Sequence, residues 1–212
     1  MSAALKKMAT SIQTLKADYQ YSESTPTSSG YEISQRGVYS RKGTSLVKIE
    51  SHFPNRKITL VRGTLAITAD SDSQERQQDR LPDPPVQFLT RTITSLSQPL
   101  SLLPYVQLKM TGKSGKEWVL TGIPLLKLQT FGKVQYFLSP DSLLPVQRMV
   151  FNKDGGLSQV AHYEYEKVGD TYAPSKVSAL FTATGGAKII ELRFSNMRVN
   201  TTLPDSDFLL PF

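Results

Sequence analysis

The sequence contains no cysteine and only two histidines among its 212 residues. Without thiols the chain has no disulfide, no thiolate metal site, no cysteine nucleophile and no N-terminal cysteine for lipidation. The histidines, His52 and His162, stand alone on stretches that resemble strands, and the carboxylates are isolated. A zinc or iron site therefore lacks ligands at a usable spacing. The missing cysteine does not identify a compartment, because exported proteins also do without it.

The sequence also lacks the short motifs of the common enzyme classes. It has no GxSxG nucleophile elbow, no P-loop and no GxGxxG dinucleotide fingerprint. Metal-dependent and nucleophilic catalysis are therefore poorly supported. We predict no catalytic residue, no metal and no cofactor, and we expect a protein that is not an enzyme.

Long apolar runs are missing as well. No window approaches the roughly 18–20 uninterrupted apolar residues of a membrane helix. The start, Met1-Ser-Ala-Ala, leads directly into an amphipathic segment without the apolar centre of a signal peptide. Two interpretations stay open, a cytoplasmic protein or one that follows a removed export signal. The 39% hydrophobic and 9% aromatic fractions suffice for a core, and we expect one domain over residues 1–212.

Basic charge is present in excess but follows the pattern of a solvated surface. The net charge of +7 is concentrated in residues 36–62, at +6, and residues 107–153, at +5. These basic residues alternate with apolar ones, which is typical of the exposed face of strands. The single tryptophan, Trp118, and the scattered tyrosines do not cluster with them as a base-stacking surface does. We do not expect nucleic-acid binding.

Alternation of apolar and polar residues dominates the chain after its N-terminal segment. Leu5, Met8, Ile12, Leu15 and Tyr19 are spaced by three and four, which predicts an amphipathic helix. Ala17–Ser22 and Glu32–Tyr39 predict a hairpin, and roughly ten or eleven strands follow one another with no βαβ alternation. The polar residues 70–83 predict a mobile loop or a frayed strand. Such an order is typical of an antiparallel meander curled into a barrel or half-barrel.

One stretch, Pro84–Val106, is apolar without alternating, and we call it the insert. Its apolar residues follow helical spacing, which predicts a helix from about Pro85 to Gln98 and a second short turn after Pro99. The residues that share this face are Val86, Leu89, Ile93, Leu96, Leu100 and Leu103. Two interpretations remain: the insert is a lid over a cavity, or it plugs one end of the sheet.

Several short motifs in this order resemble those of one protein family. In the first half, Arg36-Gly37-Val38-Tyr39 is followed by a proline, LVRG and an apolar strand within Pro54–Ile67. In the second half, Ser139–Val150 carries a turn, then leucine-proline and a strand, and Phe151–Gly156 carries an aspartate-glycine hairpin. The tail, Phe194–Phe212, ends on asparagine, leucine, aspartate, phenylalanine and proline. Together these motifs resemble the LolA-like periplasmic lipoprotein carriers over nearly the whole chain.

The resemblance implies an α+β, mainly β fold. Its strongly curved antiparallel sheet would be an open half-barrel of about 10–11 strands, with N-terminal and mid-chain helices as a lid over an apolar cavity for acyl chains. The lid residues it implies are Leu5, Met8, Ile12, Leu15, Leu89, Ile93 and Leu96. The strand residues predicted on the concave face, chosen by alternation, are Val47, Ile49, Ile58, Leu60, Leu65, Ile67, Trp118, Leu120, Tyr136 and Leu138.

The resemblance also implies a function and a location. It predicts a non-enzymatic, monomeric carrier or binder of lipoprotein acyl chains or lipid in the periplasm, its export signal already removed. The implied partners are an inner-membrane transporter and an outer-membrane receptor. The carriers place a proline after their functional arginine and a tryptophan a few residues on. Arg41-Lys42-Gly43 has neither, which bears on handoff to a receptor more than on the fold, and Arg41 is the nearest candidate for that arginine.

The same fold serves other roles, which gives two alternatives. The first is an RseB-like regulatory sensor domain that binds a protein partner. The second is a metal-free small-molecule enzyme of the VioE-like kind. An export signal upstream of the first residue favours the carrier or the sensor, whereas its absence favours the enzyme.

Overall fold

The computed structural model describes most of the chain. The described residues are Leu5, Met8, 11–25, 32–70, 72–73, 75–80, 93–125, 131–183 and 186–210. Val86 and Leu89, and the first part of the helix predicted from Pro85, lie outside the described residues. In the described part of the chain, no helix has the length and apolar character needed to cross a membrane.

Thirteen strands form one antiparallel sheet within these residues, and the sheet is not closed. The strands are β1 (Thr14–Ser24), β2 (Glu32–Lys42), β3 (Leu46–Phe53), β4 (Lys57–Arg62), β5 (Leu65–Asp70), β6 (Arg76–Arg80), β7 (Val106–Ser114), β8 (Glu117–Pro124), β9 (Lys133–Leu138), β10 (Pro145–Phe151), β11 (Leu157–Val168), β12 (Thr171–Ala183) and β13 (Gly186–Val199). The remaining elements are the helix α1 (Ile93–Leu96) and two 3-10 turns, Leu103–Tyr105 and Asp205–Phe208. The mainly β fold and the open sheet agree with the prediction of a half-barrel.

The order of strands in the sheet explains where the insert must run. Neighbouring strands are also neighbours in sequence, except that β1 pairs with β13 in the middle of the sheet. Strands β6 and β7 are consequently the two edges, although they follow each other along the chain. The insert joins these edges, so the connectivity requires it to pass from one side of the sheet opening to the other.

Two sequence predictions near the start of the chain need adjustment. The helix predicted over Leu5–Tyr19 is wrong in its second half, because β1 begins at Thr14, although Leu5 and Met8 are helical. Leu15, Ala17 and Tyr19 are buried at a period of two, which overrides the helical spacing. In the polar stretch 70–83, the frayed-strand alternative is confirmed, since β6 pairs with β5 while all its residues are exposed.

Side chains of the sheet project from two faces. We call the face that contacts α1 the inner face and the opposite one the outer face. Residues opposite each other in the register share a face, and successive residues of a strand alternate. On the inner face, Val47 lies opposite Arg41 on one side and Val61 on the other. On the outer face, Lys48 lies opposite Leu60.

The segment after β13 lies against the outer face of the N-terminal half of the sheet. Its Leu203 and Phe208 are buried with Leu60 of β4. Two ion pairs fix its course, Lys42–Asp205 at 2.7 Å and Lys16–Asp207 at 3.2 Å. The outer face of β4 is therefore as apolar and as covered as its inner face.

Candidate ligand-binding site

The described part of the insert is buried on the inner face. All four residues of α1 are buried, and the helix ends at Leu96, followed by a bond from Ser97 N to Ile93 O of 2.9 Å. Pro99 has no N–H to continue the helical pattern, so the chain proceeds through short turns to Val106. The second short turn predicted after Pro99 is thus confirmed.

Two apolar clusters lie on the inner face, and the insert contributes to both. In the first, Ile93 and Leu96 are buried against side chains of β1–β5 and β11–β13, Tyr39 and Val47 among them. In the second, Leu100 and Leu102 are buried against side chains of β7–β10. The insert therefore connects the two apolar clusters through four buried side chains, those of Ile93, Leu96, Leu100 and Leu102.

A fully buried arginine, Arg148 of β10, holds the insert by hydrogen bonds. Its Nη1 donates to the carbonyl oxygens of Ser95 (3.5 Å) and Pro99 (3.4 Å) and to Ser101 Oγ (3.2 Å). Its Nη2 donates to Ser95 Oγ (3.1 Å) and to Gln159 Oε1 of β11 (3.2 Å). Four of the five bonds reach the insert, so the guanidinium connects β10 to both turns of this segment.

Tyrosines surround Arg148 and remain protonated. Tyr136 of β9 is directly opposite Arg148 in the register, and Tyr163 of β11 lies two residues beyond its other partner, Ala161. Burial raises the pKa of both tyrosines, and the charge of Arg148 lowers it by less. The hydroxyl of Tyr163 is buried without a hydrogen-bond partner, so its proton is available to an acceptor.

A second contact on the inner face joins the insert to β2. The Ser97 hydroxyl lies 3.0 Å from the Tyr39 hydroxyl, and both side chains are buried. Burial raises the pKa of Tyr39, and the charge of Arg41 opposes this. Tyr39 is therefore a neutral phenol whose oxygen accepts a hydrogen bond from Ser97 of the insert.

Arg41, the predicted carrier arginine, is buried on the inner face but contacts other partners than the insert. Its Nη2 donates to Ile12 O (3.1 Å) and its Nη1 to Gly43 O (2.9 Å). Arg41 thus ties β2 to the residues that precede β1.

Arg148 was not among the site residues predicted from the sequence. The available signal was its place two residues before Val150 on β10, where alternation puts both side chains on the same, buried face.

The structure brings most of the predicted cavity residues together. Leu5 is buried in the second cluster and Met8 packs against it, while Ile12 and Leu15 belong to the first. Val47 and Ile49 lie with the first cluster, near Ile93 and Leu96. The second cluster holds Leu120, Tyr136 and Leu138, with Trp118 against it.

Four residues predicted on the concave face lie on the outer face instead. The register pairs Leu60 with Lys48 and Ile67, Ile58 with Glu50, and Leu65 with Arg62, all opposite in orientation to Val47 and Val61. The placement of Ile58, Leu60, Leu65 and Ile67 on the concave face is therefore wrong. Three of these residues line a half-open cavity of about 180 Å³ under the C-terminal segment, with lining residues Leu60, Arg62, Leu65, Ile67, Phe208, Leu209 and Leu210.

Solved structures with the same architecture place this fold in a known group. A LolA superfamily protein from Nitrosomonas europaea superposes with a TM-score of 0.73 at 14% identity, covering 98% of this chain and 96% of the other. The fold is LolA-like. An outer membrane lipoprotein-sorting protein domain from Vibrio parahaemolyticus gives a TM-score of 0.70 at 15% identity, covering 98% and 94%.

The LolA-like fold extends to a third structure. A DUF1329 family protein from Desulfovibrio piger superposes with a TM-score of 0.77 at 12% identity, covering 98% of this chain and 94% of the other. No protein-family model matches the sequence, and no curated protein sequence matches it. The similarity shown is therefore one of backbone architecture, at 12–15% sequence identity.

Proposed function

We propose that this protein is a non-enzymatic carrier or binder of acyl chains, borne by a lipoprotein or a lipid, and that it acts in the periplasm. The observation that carries the proposal is the buried insert, whose apolar side chains bridge two apolar clusters on the inner face of an open sheet. If the insert leaves the inner face, a flexible apolar ligand can fill the same apolar site. The name of the lipoprotein-sorting relative supports the class of ligand and the compartment.

The energies of the two occupants are similar in size. Burying Ile93, Leu96, Leu100 and Leu102 contributes about 6–12 kcal/mol, at about 1.5–3 kcal/mol for each side chain. An acyl chain of about 16 carbons contributes about 12 kcal/mol, at about 0.8 kcal/mol for each methylene. A chain of that length can therefore displace the insert with little net change in buried apolar surface.

The proposed mechanism is exchange of the insert for the ligand. The insert leaves the inner face and the acyl chain takes its place, and the reverse exchange releases the ligand. Since the two compete, the apparent affinity for the ligand rises with the fraction of molecules in which the insert is undocked. An inner-membrane donor and an outer-membrane receptor are the partners that this exchange requires in a periplasmic carrier.

The first experiment asks whether an acyl chain binds. Purified protein is extracted with organic solvent for mass spectrometry, and binding of the fluorescent fatty acid cis-parinaric acid is titrated. We expect a co-purified or exchangeable acyl lipid at about one site per chain. The absence of both would overturn the proposal.

The second experiment asks whether the insert occupies the site. Ile93→Glu places a charge at a position with 8% exposure, and it should undock the insert and raise the affinity for cis-parinaric acid at least tenfold. Ile123→Glu is the matched control, because Ile123 is 52% exposed on β8. Equal affinities of the two variants would show that the insert is not a lid.

A further inference from the structure

Arg148 lacks an acidic partner in the part of the chain that the structure describes. None of the ion pairs found there includes it, and its five hydrogen bonds go to neutral oxygens. Its Nε is buried without a hydrogen-bond partner. A buried guanidinium without an opposite charge is costly to maintain, so an anion that reaches it gains a strong interaction.

The bonds that Arg148 makes to the insert are long for a charged donor. They measure 3.1–3.5 Å, whereas bonds between a guanidinium and a carboxylate or phosphate are about 2.7–2.9 Å and often paired in parallel. When the insert leaves, only the bond to Gln159 of β11 remains. The part of the inner face that the insert covers would then present the desolvated guanidinium of Arg148 with free N–H donors.

The surroundings of Arg148 add a neutral donor. The Tyr163 hydroxyl lies on the same face of the neighbouring strand, buried and without a partner. Arg148 and Tyr163 together offer N–H and O–H donors on the same face of two adjacent strands. Such a set of donors fits a tetrahedral phosphate or a planar carboxylate with an apolar chain attached.

We propose that Arg148 is the headgroup site of the inner face and that it binds the carboxylate or phosphate of an anionic amphiphile in place of the insert. This inference rests on the proposed function and names the chemical class of its ligand. The anion accepts the hydrogen bonds that Ser95, Pro99 and Ser101 accept when the insert is docked. The charge of the ligand, and not only its apolar length, is then what releases the insert.

The test compares ligands that differ only in charge. Binding of cis-parinaric acid and of its methyl ester is titrated with the wild type at pH 7.5, and dodecyl phosphate and inorganic phosphate are tested as competitors. We expect the acid to bind at least tenfold more tightly than the ester. Dodecyl phosphate should compete, and inorganic phosphate alone should not. Competition by inorganic phosphate at equal strength would identify a free-anion site and overturn the amphiphile assignment.

Variants then test whether Arg148 is the source of the preference for the acid over its methyl ester. Arg148→Gln should bring the acid-to-ester ratio to about one. Arg198→Gln, at an exposed arginine opposite Lys16 on the outer face, should preserve the ratio. Arg148→Lys keeps the charge and should retain a reduced preference, which guards against a folding defect of Arg148→Gln. Equal binding of acid and ester by the wild type overturns the inference about Arg148 alone, whereas binding of neither overturns the proposed function as well.

Discussion

The guanidinium of Arg41 donates a hydrogen bond of 3.1 Å to the carbonyl oxygen of Ile12, immediately before β1. Arg148 donates in the same manner to the carbonyl oxygens of Ser95 and Pro99. Each of the two segments that pack on the inner face thus offers main-chain oxygens to one buried arginine, and the insert adds the hydroxyls of Ser95 and Ser101. The main-chain bonds do not depend on the side chain at the accepting residue, so they constrain the path of a segment and not its sequence.

Gly37 is required by the close approach of β2 and β3. A Cβ at this position would lie 1.8 Å from the carbonyl oxygen of Glu50. We expect Gly37→Ala to cost about 3 kcal/mol or more, because two paired strands must separate. Gly115→Ala, where a Cβ meets nothing within 4 Å but φ is +59°, should cost only about 1–2 kcal/mol. Urea unfolding gives both values, and equal losses would contradict the clash.

The Tyr39 hydroxyl should stabilise docking of the insert. Tyr39→Phe removes its contact with Ser97 and is expected to cost about 1 kcal/mol, seen as faster amide exchange in residues 97–105. Tyr163→Phe removes a buried hydroxyl that has no partner, so it should leave that exchange unchanged. Hydrogen exchange read by mass spectrometry compares the two, and a similar effect of both variants would argue against a specific contact.

Glu191 of β13 should make stability fall in acid. Burial raises its pKa, but the hydrogen bond from Arg193 (2.6 Å) and the charges of Arg193 and Lys176 lower the pKa further, to a net value below the ordinary 4.5. A lowered pKa in the folded state stabilises the protein above the unfolded-state value, and this contribution is lost as the pH falls below about 4.5. Glu191→Gln should flatten the decline in melting temperature on acidification. An unchanged slope would exclude this ion pair as its source.

Phe208 should anchor the C-terminal segment to the outer face. Its side chain is fully buried with Leu60 and Leu203, so Phe208→Ala is expected to cost about 3–5 kcal/mol. Leu209→Ala, at 57% exposure on the next residue, should change stability by less than about 0.5 kcal/mol. The midpoints of urea unfolding distinguish the two, and a small loss for Phe208→Ala would mean that the segment detaches easily.

Alternation along the strands was sufficient to predict the mainly β fold, because most strands bury one face more than the other. It failed to orient β4 and β5. Both faces of these strands are apolar, with Val61 and Ala66 on one side and Leu60 and Ile67 on the other. Which side of these strands faces inward depends on the distant C-terminal segment, which covers the outer face. The alternation of residues within one strand carries no information about that contact.

The polar part of the site was the least predictable from sequence. A lone arginine within a strand is normally solvated, so Arg148 looked like part of the basic surface. Its burial depends on contacts with residues 47–53 positions earlier, which only the folded chain brings together. Proline, in contrast, acts locally, and Pro99 correctly predicted the end of the helix in the insert.

The pairing of β1 with β13 has a consequence for how the molecule can be divided. Among the strands that the structure describes, it is the one pairing between those that precede the insert, β1–β6, and those that follow it, β7–β13. A chain cut within the insert would therefore keep every strand pairing and yield two fragments joined by β1 and β13. The packing of Phe208 against Leu60 of β4 and of Leu5 against the second cluster would add to this contact. We therefore expect that residues before and after such a cut could be produced as two separate fragments and would reassemble into the same sheet.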